Sequence, residues 1–105
     1  MENITTIIEQ LVQRIVQEIQ PLRIILFGSA VRGDIGPHSD IDLLVVMPEG
    51  VHRRRIAQIL YQNIRGINRP FDIIVATPAD LEKQKNAIGL IYKTILQEGR
   101  EIYAA

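Results

Sequence analysis

Three short apolar segments constrain the fold of this chain more than any other feature. Residues 22–27, 41–47 and 71–76 are rich in isoleucine, leucine and valine, and a glycine or proline follows each within two residues. Runs of six or seven such residues are too short for buried helices and are typical of strands buried on both faces. We therefore expect a sheet that contains these three strands.

Two amphipathic segments predict helices around these strands. Apolar residues recur at three- and four-residue steps in residues 3–20 and again in residues 51–64, with polar residues between them. Asn3 or Thr5 can cap the first helix, and Gly66 follows the second. The order of the elements predicts an α/β (α+β) fold, in which helices pack on a small mixed β-sheet.

The last third of the chain predicts a further helix. Thr77 can cap it, Pro78 suits the first helical position, and Asp80 places a carboxylate in the first turn. The helical pattern continues well beyond this turn, with a break or bend expected near Gly89. Residues 100–105 fit either a short edge strand or a terminal tail.

The composition is that of an ordinary globular chain without a strong overall charge. The 105 residues suit a single domain, residues 1–105, and the formal net charge is zero. Direct nucleic-acid binding is therefore not expected, although a local basic patch would suffice for it. The lack of cysteine excludes a disulfide framework, a thiolate zinc site and a cysteine nucleophile. Without a signal-peptide pattern or an apolar run of membrane-spanning length, we expect a cytoplasmic protein with no membrane association.

Asp40 and Asp42 form a D-x-D pair at the start of the second predicted strand. Residues two apart in a strand project from the same face, so the two carboxylates would lie side by side and repel each other. A bridging divalent cation relieves this repulsion, and oxygen-only ligands suit magnesium or manganese rather than zinc. Short motifs also match by chance, and the alternative is that Asp40 caps the loop while Asp42 faces solvent.

The turn-rich segment after the first strand suits phosphate binding. Gly28 lets the backbone approach a ligand, and consecutive amides together with the Ser29 hydroxyl can hold phosphate oxygens. Arg32 supplies a positive fork for a triphosphate, in a turn with Gly33 that a bulkier residue would crowd. Taken alone, a Gly-Ser pair also fits an ordinary turn.

The spacing of these groups resembles that of a known family. The chain has a Gly-Ser pair, ten intervening residues and a D-x-D pair followed by aliphatic residues. This motif is similar to that of the nucleotidyltransferases of the DNA polymerase β type, specifically the short minimal nucleotidyltransferases (MNT). The resemblance covers nearly the full length and implies the polymerase β-like nucleotidyltransferase fold, because the first helix, the third strand and the closing I-x-x-E-G-x-x-x-Y segment also fit. The matching residues are Gly28, Ser29, Arg32, Gly33, Ser39, Asp40 and Asp42.

The resemblance implies a third carboxylate on a later strand, and Asp72 is the matching candidate. It is a charge among strand residues that otherwise read as buried, where an unpaired carboxylate is costly. A shared metal site would account for that cost, whereas the alternative is an edge-strand aspartate that meets solvent or Arg69. Asp34, in a glycine-rich turn, and Asp80, at a helix start, are weaker candidates.

The implied reaction is nucleotidyl transfer from a nucleoside triphosphate. Asp40, Asp42 and Asp72 would hold two Mg²⁺ ions roughly 3.5–4 Å apart. Asp72 could also accept the proton of the attacking hydroxyl. The triphosphate would be bound by Gly28, Ser29, Arg32 and Gly33.

The resemblance also implies a protein partner. Minimal nucleotidyltransferases are commonly encoded beside a HEPN-domain protein, a ribonuclease toxin, and act as its antitoxin by adding AMP from ATP to a toxin tyrosine. We expect the same AMPylation here, because the catalytic layer takes up almost the whole chain and leaves no acceptor domain. The alternatives are transfer to a small molecule or an RNA end, and a non-catalytic antitoxin that only binds its partner.

Several other polar and aromatic residues fit ordinary structural roles. His38 fits a solvent-exposed loop. The basic run at residues 52–55 fits a solvated helix face, although positive charge at a helix start is mildly unfavourable and leaves contact with an acidic partner or nucleic acid open. Tyr61, Tyr92 and Tyr103 are more typical of packing than of base stacking.

Overall fold

The computed structural model describes residues 3–33, 36, 39–83 and 87–105. Its helices and strands coincide closely with the predicted segments, and short elements follow the first and third strands. In chain order they are α1 (Ile4–Ile19), β1 (Arg23–Phe27), α2 (Ser29–Arg32), β2 (Ile41–Val46), α3 (Arg53–Asn63), β3 (Phe71–Ala76), α4 (Pro78–Glu82), α5 (Ala87–Glu98) and β4 (Arg100–Ala104).

The strands form a four-stranded mixed sheet in the order β3-β2-β1-β4. β1 pairs antiparallel with both β2 and β4, whereas β2 and β3 are parallel. Parallel neighbours need a crossover connection, and α3 supplies it between β2 and β3. This architecture confirms the predicted α/β (α+β) class with helices packed on a small mixed sheet.

Side chains on the two faces of the sheet pack into separate apolar clusters. α1 and α3 cover one face, where Leu11, Leu43 and Leu60 are fully buried. α5 covers the other face, where Tyr92 and Ile95 lie in a cluster with Leu44. Because both faces of β2 are covered, this strand is apolar at nearly every position, as its sequence predicts.

Side-chain caps fix the helix starts that the sequence predicts. At the start of α1, the Asn3 side chain accepts a hydrogen bond from the amide of Thr6 at 2.8 Å. Thr77 and Asp80 cap α4 reciprocally, since the amide of each donates to the side chain of the other. Among the described helices, none combines the length and the apolar character needed to cross a membrane.

The break expected near Gly89 is wrong in position. α4 already ends at Glu82, where Lys83 leaves the helical conformation with φ −72° and ψ 110°, and Gly89 lies inside α5. The Lys83 amide donates back to the Asp80 carbonyl at 3.3 Å, which closes α4 after five residues. A glycine within a helix costs only about 1 kcal/mol relative to alanine, so it need not end the helix.

The end of the chain forms an edge strand rather than a tail. β4 pairs with β1 along Arg23–Leu26, with a register shift between Ile24 and Ile25. Gly99 joins α5 to β4, and a Cβ atom there would lie 2.9 Å from the Leu26 carbonyl oxygen. A glycine is therefore what allows α5 to end so close to the sheet.

Candidate functional site

The register of the sheet places Asp42 beside Asp72. Asp42 of β2 is opposite the last residue of β1 on one side and opposite Asp72 of β3 on the other. Leu44 and Ile74 come two residues after these aspartates on the same strands and therefore share their face of the sheet. This is the face that α5 covers. Asp40 comes two residues before Asp42, at the entrance to β2. The three candidate carboxylates therefore lie at one end of the sheet.

Gly28 packs directly against the carboxylate of Asp42. A Cβ atom at position 28 would overlap Asp42 Oδ2 and lie 3.3 Å from Asp42 Cγ. The backbone of Gly28 also has a φ of 76°, a conformation that strains residues with a side chain. The sequence predicts that the backbone approaches a ligand here, and in the structure the group that approaches it is the Asp42 carboxylate.

The short helix α2 carries the other candidate phosphate ligands. Ser29 is the first residue of α2 and is half-buried, whereas Arg32 is the last and is exposed. The positive charge of Arg32 favours the ionised form of Asp42. Gly33 closes α2 with φ 80°, and its amide donates to the Ser29 carbonyl. The crowding expected at Gly33 is wrong, because no described atom lies within 4 Å of a Cβ built there. The positive φ alone favours glycine at this position.

Asp42 lies among like charges. Its burial raises the pKa of the carboxyl group above the usual value, and the charges of Asp72 and Asp40 raise that pKa further. The positive charge of Arg32 opposes these effects without cancelling them. A cation bound beside Asp42 would favour its ionised form and relieve the repulsion.

The carboxylates suit a divalent cation chemically but do not form a closed cage for one. Across residues 3–33, 36, 39–83 and 87–105, no three Asp, Glu, His or Cys side chains converge as metal ligands. Magnesium usually binds through one or two carboxylates and completes its octahedron with water and substrate phosphates. The donor set therefore fits a cation that binds together with a triphosphate, and ligation by Asp40, Asp42 and Asp72 stays a prediction.

Asp72 is more exposed than the sequence predicts. β3 is an edge strand of the described sheet, and Asp72 is exposed near its start. The expected burial of Asp72 is therefore wrong, and its exposure matches the alternative of an edge-strand aspartate that meets solvent. Tyr61 contacts it, with its hydroxyl donating to Asp72 Oδ1 at 3.4 Å. Arg69, which the sequence offers as an alternative partner, donates to backbone carbonyls instead.

Arg69 holds the loop that leads into Asp40. Its guanidinium donates to the carbonyl oxygens of Gly36 at 2.7 Å and Ser39 at 3.3 Å. The Ser39 hydroxyl in turn accepts a hydrogen bond from the Gly36 amide at 2.9 Å. These contacts fix the backbone immediately before Asp40, so Ser39 of the predicted motif has a structural role in the loop.

Tyr61 combines the predicted packing role with a polar one. Its ring is stacked on that of Phe71, with centroids 5.7 Å apart and planes 7° from parallel. Its hydroxyl accepts a hydrogen bond from the Ile73 amide at 2.7 Å. Burial raises the pKa of Tyr61, the Ile73 amide opposes this shift, and the charges of Asp72 and Asp40 add to it. The phenol therefore keeps its proton at neutral pH and can donate.

A cavity of about 490 Å³ adjoins the candidate phosphate ligands between the sheet and α5. Most of its wall is apolar, which suits the uncharged part of a ligand whose charged part lies beside Gly28. A larger groove of about 640 Å³ lies between α1 and β4 and contains none of the candidate residues, so the smaller cavity is the better candidate. The lining of the smaller cavity includes Phe27, Gly28, Arg32, Ile74, Ile91 and Ile95.

The weaker candidates separate into structural residues and undescribed ones. Asp80 is confirmed as a helix-start residue, and it also forms an ion pair with Arg53 at 3.0 Å. His52 caps α3 by accepting a hydrogen bond from the following turn. The start of the basic run is therefore tied to the fold rather than wholly solvated. Asp34 and His38 lie outside the described residues.

Tyr61 and Arg69 support the site, and sequence reasoning assigned neither of them this role. Arg69 precedes Pro70, and a residue before proline is restricted to extended conformations, which is a usable signal of a fixed entry into β3. Tyr61 carries no comparable signal, because its spacing in the helix matches an ordinary packing residue. Only the register of α3 against β3 reveals its contact with Asp72.

Known proteins match this chain in both sequence family and fold. The nucleotidyltransferase domain family matches residues 8–102. A candidate nucleotidyltransferase from Sulfolobus solfataricus is 20% identical, with a TM-score of 0.63 over 94% of this chain and 78% of that one. A toxin–antitoxin structure with AMP-PNP is 19% identical, with a TM-score of 0.65 over 92% of this chain and 73% of that one. No curated protein sequence matches significantly.

The family match and the geometry agree. The matched region includes every residue of the candidate site and nearly the whole chain. At their low identities the two solved structures show the fold alone, and this fold is the mixed sheet with helices that the chain adopts. The chain belongs to the nucleotidyltransferase domain family, and it is a nucleotidyltransferase.

Proposed function

We propose that this chain transfers AMP from ATP to a tyrosine hydroxyl of a HEPN-domain toxin, and thereby acts as an antitoxin of the HEPN/MNT type. The observation that carries the proposal is the position of Asp42, between the Gly28 turn and Asp72 at one end of the sheet. The likeness of fold to a toxin–antitoxin structure with AMP-PNP supports both the nucleotide and the kind of partner.

The donor nucleotide would bind across α2 and the adjoining cavity. The Gly28 backbone and the Ser29 hydroxyl would hold phosphate oxygens, while Arg32 would neutralise part of the triphosphate charge. Gly33 would permit the turn that places Arg32 there. The apolar cavity of about 490 Å³ would accept the base or the ribose.

Asp40, Asp42 and Asp72 would hold two Mg²⁺ ions. Bound magnesium would supply charge neutralisation at the triphosphate and alignment for in-line displacement. The pKa of Asp42 is raised by its burial and by its two acidic neighbours, so a nearby cation would stabilise its ionised form. The all-oxygen donor set supports a hard ion of this kind.

The acceptor hydroxyl would come from the partner protein. Asp40 and Asp72 are exposed, so an incoming side chain can reach this end of the sheet. The tyrosine oxygen would attack the α-phosphorus, the bond between that phosphorus and the bridging oxygen would break, and pyrophosphate would leave. Asp72 would accept the phenolic proton, as a general base within reach of the acceptor.

The remaining expectations fit this reaction. The described sheet carries both apolar clusters, which supports residues 1–105 acting as a single nucleotidyltransferase domain. An ATP donor and a cysteine-free chain both suit the cytoplasm.

The proposal is tested by incubating the chain with Mg²⁺, each nucleoside triphosphate in turn, and a candidate HEPN-domain partner protein. Intact-mass measurement should show the partner gaining the mass of AMP with ATP, and peptide mapping should place it on a tyrosine. Asp42→Asn should reduce the rate at least about 100-fold, since it removes a group that would contact the metal and substrate. Glu9→Gln, on the exposed side of α1, is the matched control and should keep the wild-type rate.

Two outcomes would contradict the proposal. If no triphosphate adds mass to the partner while the chain is folded and supplied with Mg²⁺, the assigned acceptor is wrong. If Asp40→Asn/Asp42→Asn still neutralises the toxin at wild-type protein levels, the chain acts by binding and not by nucleotidyl transfer.

A further inference from the structure

Tyr61 is fixed in place at the outer edge of β3 by two contacts besides its polar contact with Asp72. Its ring stacks on Phe71, the first residue of β3 and the neighbour of Asp72. Its hydroxyl accepts a hydrogen bond of 2.7 Å from the amide of Ile73, the residue on the other side of Asp72. The hydroxyl is therefore held by backbone that immediately flanks the candidate carboxylate.

The one proton of this hydroxyl is available to Asp72. A tyrosine hydroxyl has a single donor and can accept as well, and the Ile73 amide already uses its acceptor side. The hydroxyl donates to Asp72 Oδ1 at 3.4 Å, a contact longer than the roughly 2.5–3.0 Å usual between two oxygens. An ionised carboxylate only accepts, so the donor and the acceptor are correctly matched.

We infer that Tyr61 is a positioning residue for Asp72. The Ile73 amide donates to the Tyr61 hydroxyl, which in turn donates to Asp72 Oδ1 and holds that oxygen beside α3, so that Oδ2 would remain for the site. Without it, an exposed side chain on an edge strand would sample several rotamers. This inference rests on the proposed function only in so far as Asp72 acts in the transfer reaction.

The Tyr61→Phe variant removes the hydroxyl and keeps the stacked ring. We expect the rate of nucleotidyl transfer to fall about 10-fold, with KM for ATP changed less than about 2-fold, because groups that orient a ligand side chain typically contribute 10–100-fold. Tyr103→Phe makes the same chemical change on β4, at the other edge of the described sheet, and should behave as wild type. The midpoint of urea unfolding, measured for both variants, separates loss of positioning from loss of fold.

Combining the variants tests whether Tyr61 acts through Asp72. If it does, adding Tyr61→Phe to Asp72→Asn should lower the residual rate by less than about 2-fold, because coupled residues are not additive. Multiplied losses in the double variant would overturn the inference. A wild-type rate for Tyr61→Phe would also overturn it, and so would nucleotide mass found on Tyr61 itself, which would make it an acceptor.

Binding of Mn²⁺ keeps the inference testable if the proposed function fails. Mn²⁺ affinity is measured by electron paramagnetic resonance with a non-hydrolysable ATP analogue present, with no partner protein. Tyr61→Phe should weaken it about 10-fold, and Asp72→Asn should weaken it with no further loss in the double variant. Unchanged Mn²⁺ affinity in Tyr61→Phe would overturn the positioning role, whether or not the wild type modifies the HEPN protein.

Discussion

At the scale of single residues, the site depends on how closely Gly28 and Asp42 approach each other. The end of β1 and the start of β2 are adjacent in the sheet, so the residue after β1 meets the side chain of Asp42. Only a residue without a Cβ atom can do so here, because that atom would overlap Asp42 Oδ2. The same glycine thus serves the backbone turn and the placement of the carboxylate.

Gly28→Ala should therefore damage both the stability and the activity of the protein. Overlap with Asp42 should cost about 1–3 kcal/mol of unfolding free energy, the usual cost of overpacking. Displacement of the carboxylate by about 1 Å should lower the transfer rate on the order of 100-fold. Urea unfolding and the partner-modification assay measure the two effects.

Gly66→Ala is the matched control for this substitution. Gly66 has φ 80°, close to the 76° of Gly28, but no described atom lies within 4 Å of a Cβ built there. Both variants place alanine at a positive φ, whereas only Gly28→Ala adds the overlap with Asp42 and the strain of the ψ of −150° at that position. Equal losses of stability and activity in the two variants would show that backbone strain, and not the carboxylate, explains the glycine at position 28.

At the scale of elements, α4 is a five-residue helix that depends on its cap. Asp80 accepts hydrogen bonds from the amide and the hydroxyl of Thr77, and its other oxygen forms ion pairs with Arg53 and Lys83. Burial by itself raises the pKa of Asp80, but the contacts with Thr77, together with the two positive charges, outweigh it. The net effect holds the pKa of Asp80 below its ordinary value.

Asp80→Asn should destabilise the fold in a pH-dependent way. A lowered pKa in the folded state means that the stabilisation is complete above the unfolded pKa of about 3.9 and is lost as the pH falls through the folded pKa. We expect a loss of about 1–2 kcal/mol at pH 7 that shrinks below pH 4. Urea unfolding at a series of pH values measures it.

Asn3→Ala provides the comparison for this effect. It removes an uncharged helix cap from α1, so its cost should not change over the same pH range. A cost of Asp80→Asn that stays constant down to pH 2 would show that the carboxylate charge does not contribute to the cap.

At the scale of the whole molecule, the candidate site lowers the stability of the fold that carries it. Asp42 is half-buried next to two other carboxylates, and its raised pKa means that the folded state disfavours the ionised form. For a carboxyl group with a raised pKa, stability falls as the pH rises from the unfolded pKa through the folded pKa. At neutral pH the charge of Asp42 therefore opposes folding.

Asp42→Asn should stabilise the protein at neutral pH while it lowers the transfer rate at least about 100-fold. The gain should be on the order of 0.2–1 kcal/mol, the range for a partly screened charge contact, and should vanish below about pH 4 where the wild-type carboxyl is protonated. Thermal unfolding at pH 7 and pH 3.5 measures it, with Glu9→Gln as the control carboxylate. If Asp42→Asn lowers the stability of the protein by the same amount at pH 7 and at pH 3.5, this electrostatic explanation is wrong.

Local sequence patterns predict the strands, most of the helices and the candidate residues of the site. Strand and helix patterns act through residues a few positions apart, so the three strands, the capping of α4 and the Gly-Ser and D-x-D pairs can be read locally. These local signals predict a mixed sheet with helices, and the resemblance of the Gly-Ser and D-x-D motif to a known family predicts nucleotidyl transfer. They did not predict that α4 ends at Glu82, because that end depends on the hydrogen bond from the Lys83 amide to the Asp80 carbonyl.

The meeting of groups far apart in sequence depends on the tertiary structure. Pairing of β2 with β3 sets Asp42 beside Asp72, places Asp72 on an exposed edge, and brings Tyr61 of α3 to the amide of Ile73. Register between strands and the packing of a crossover helix depend on contacts between residues far apart in sequence, which periodicity does not encode. For this reason the sequence predicts the candidate carboxylates, and only the fold shows that Tyr61 and Arg69 contact their surroundings.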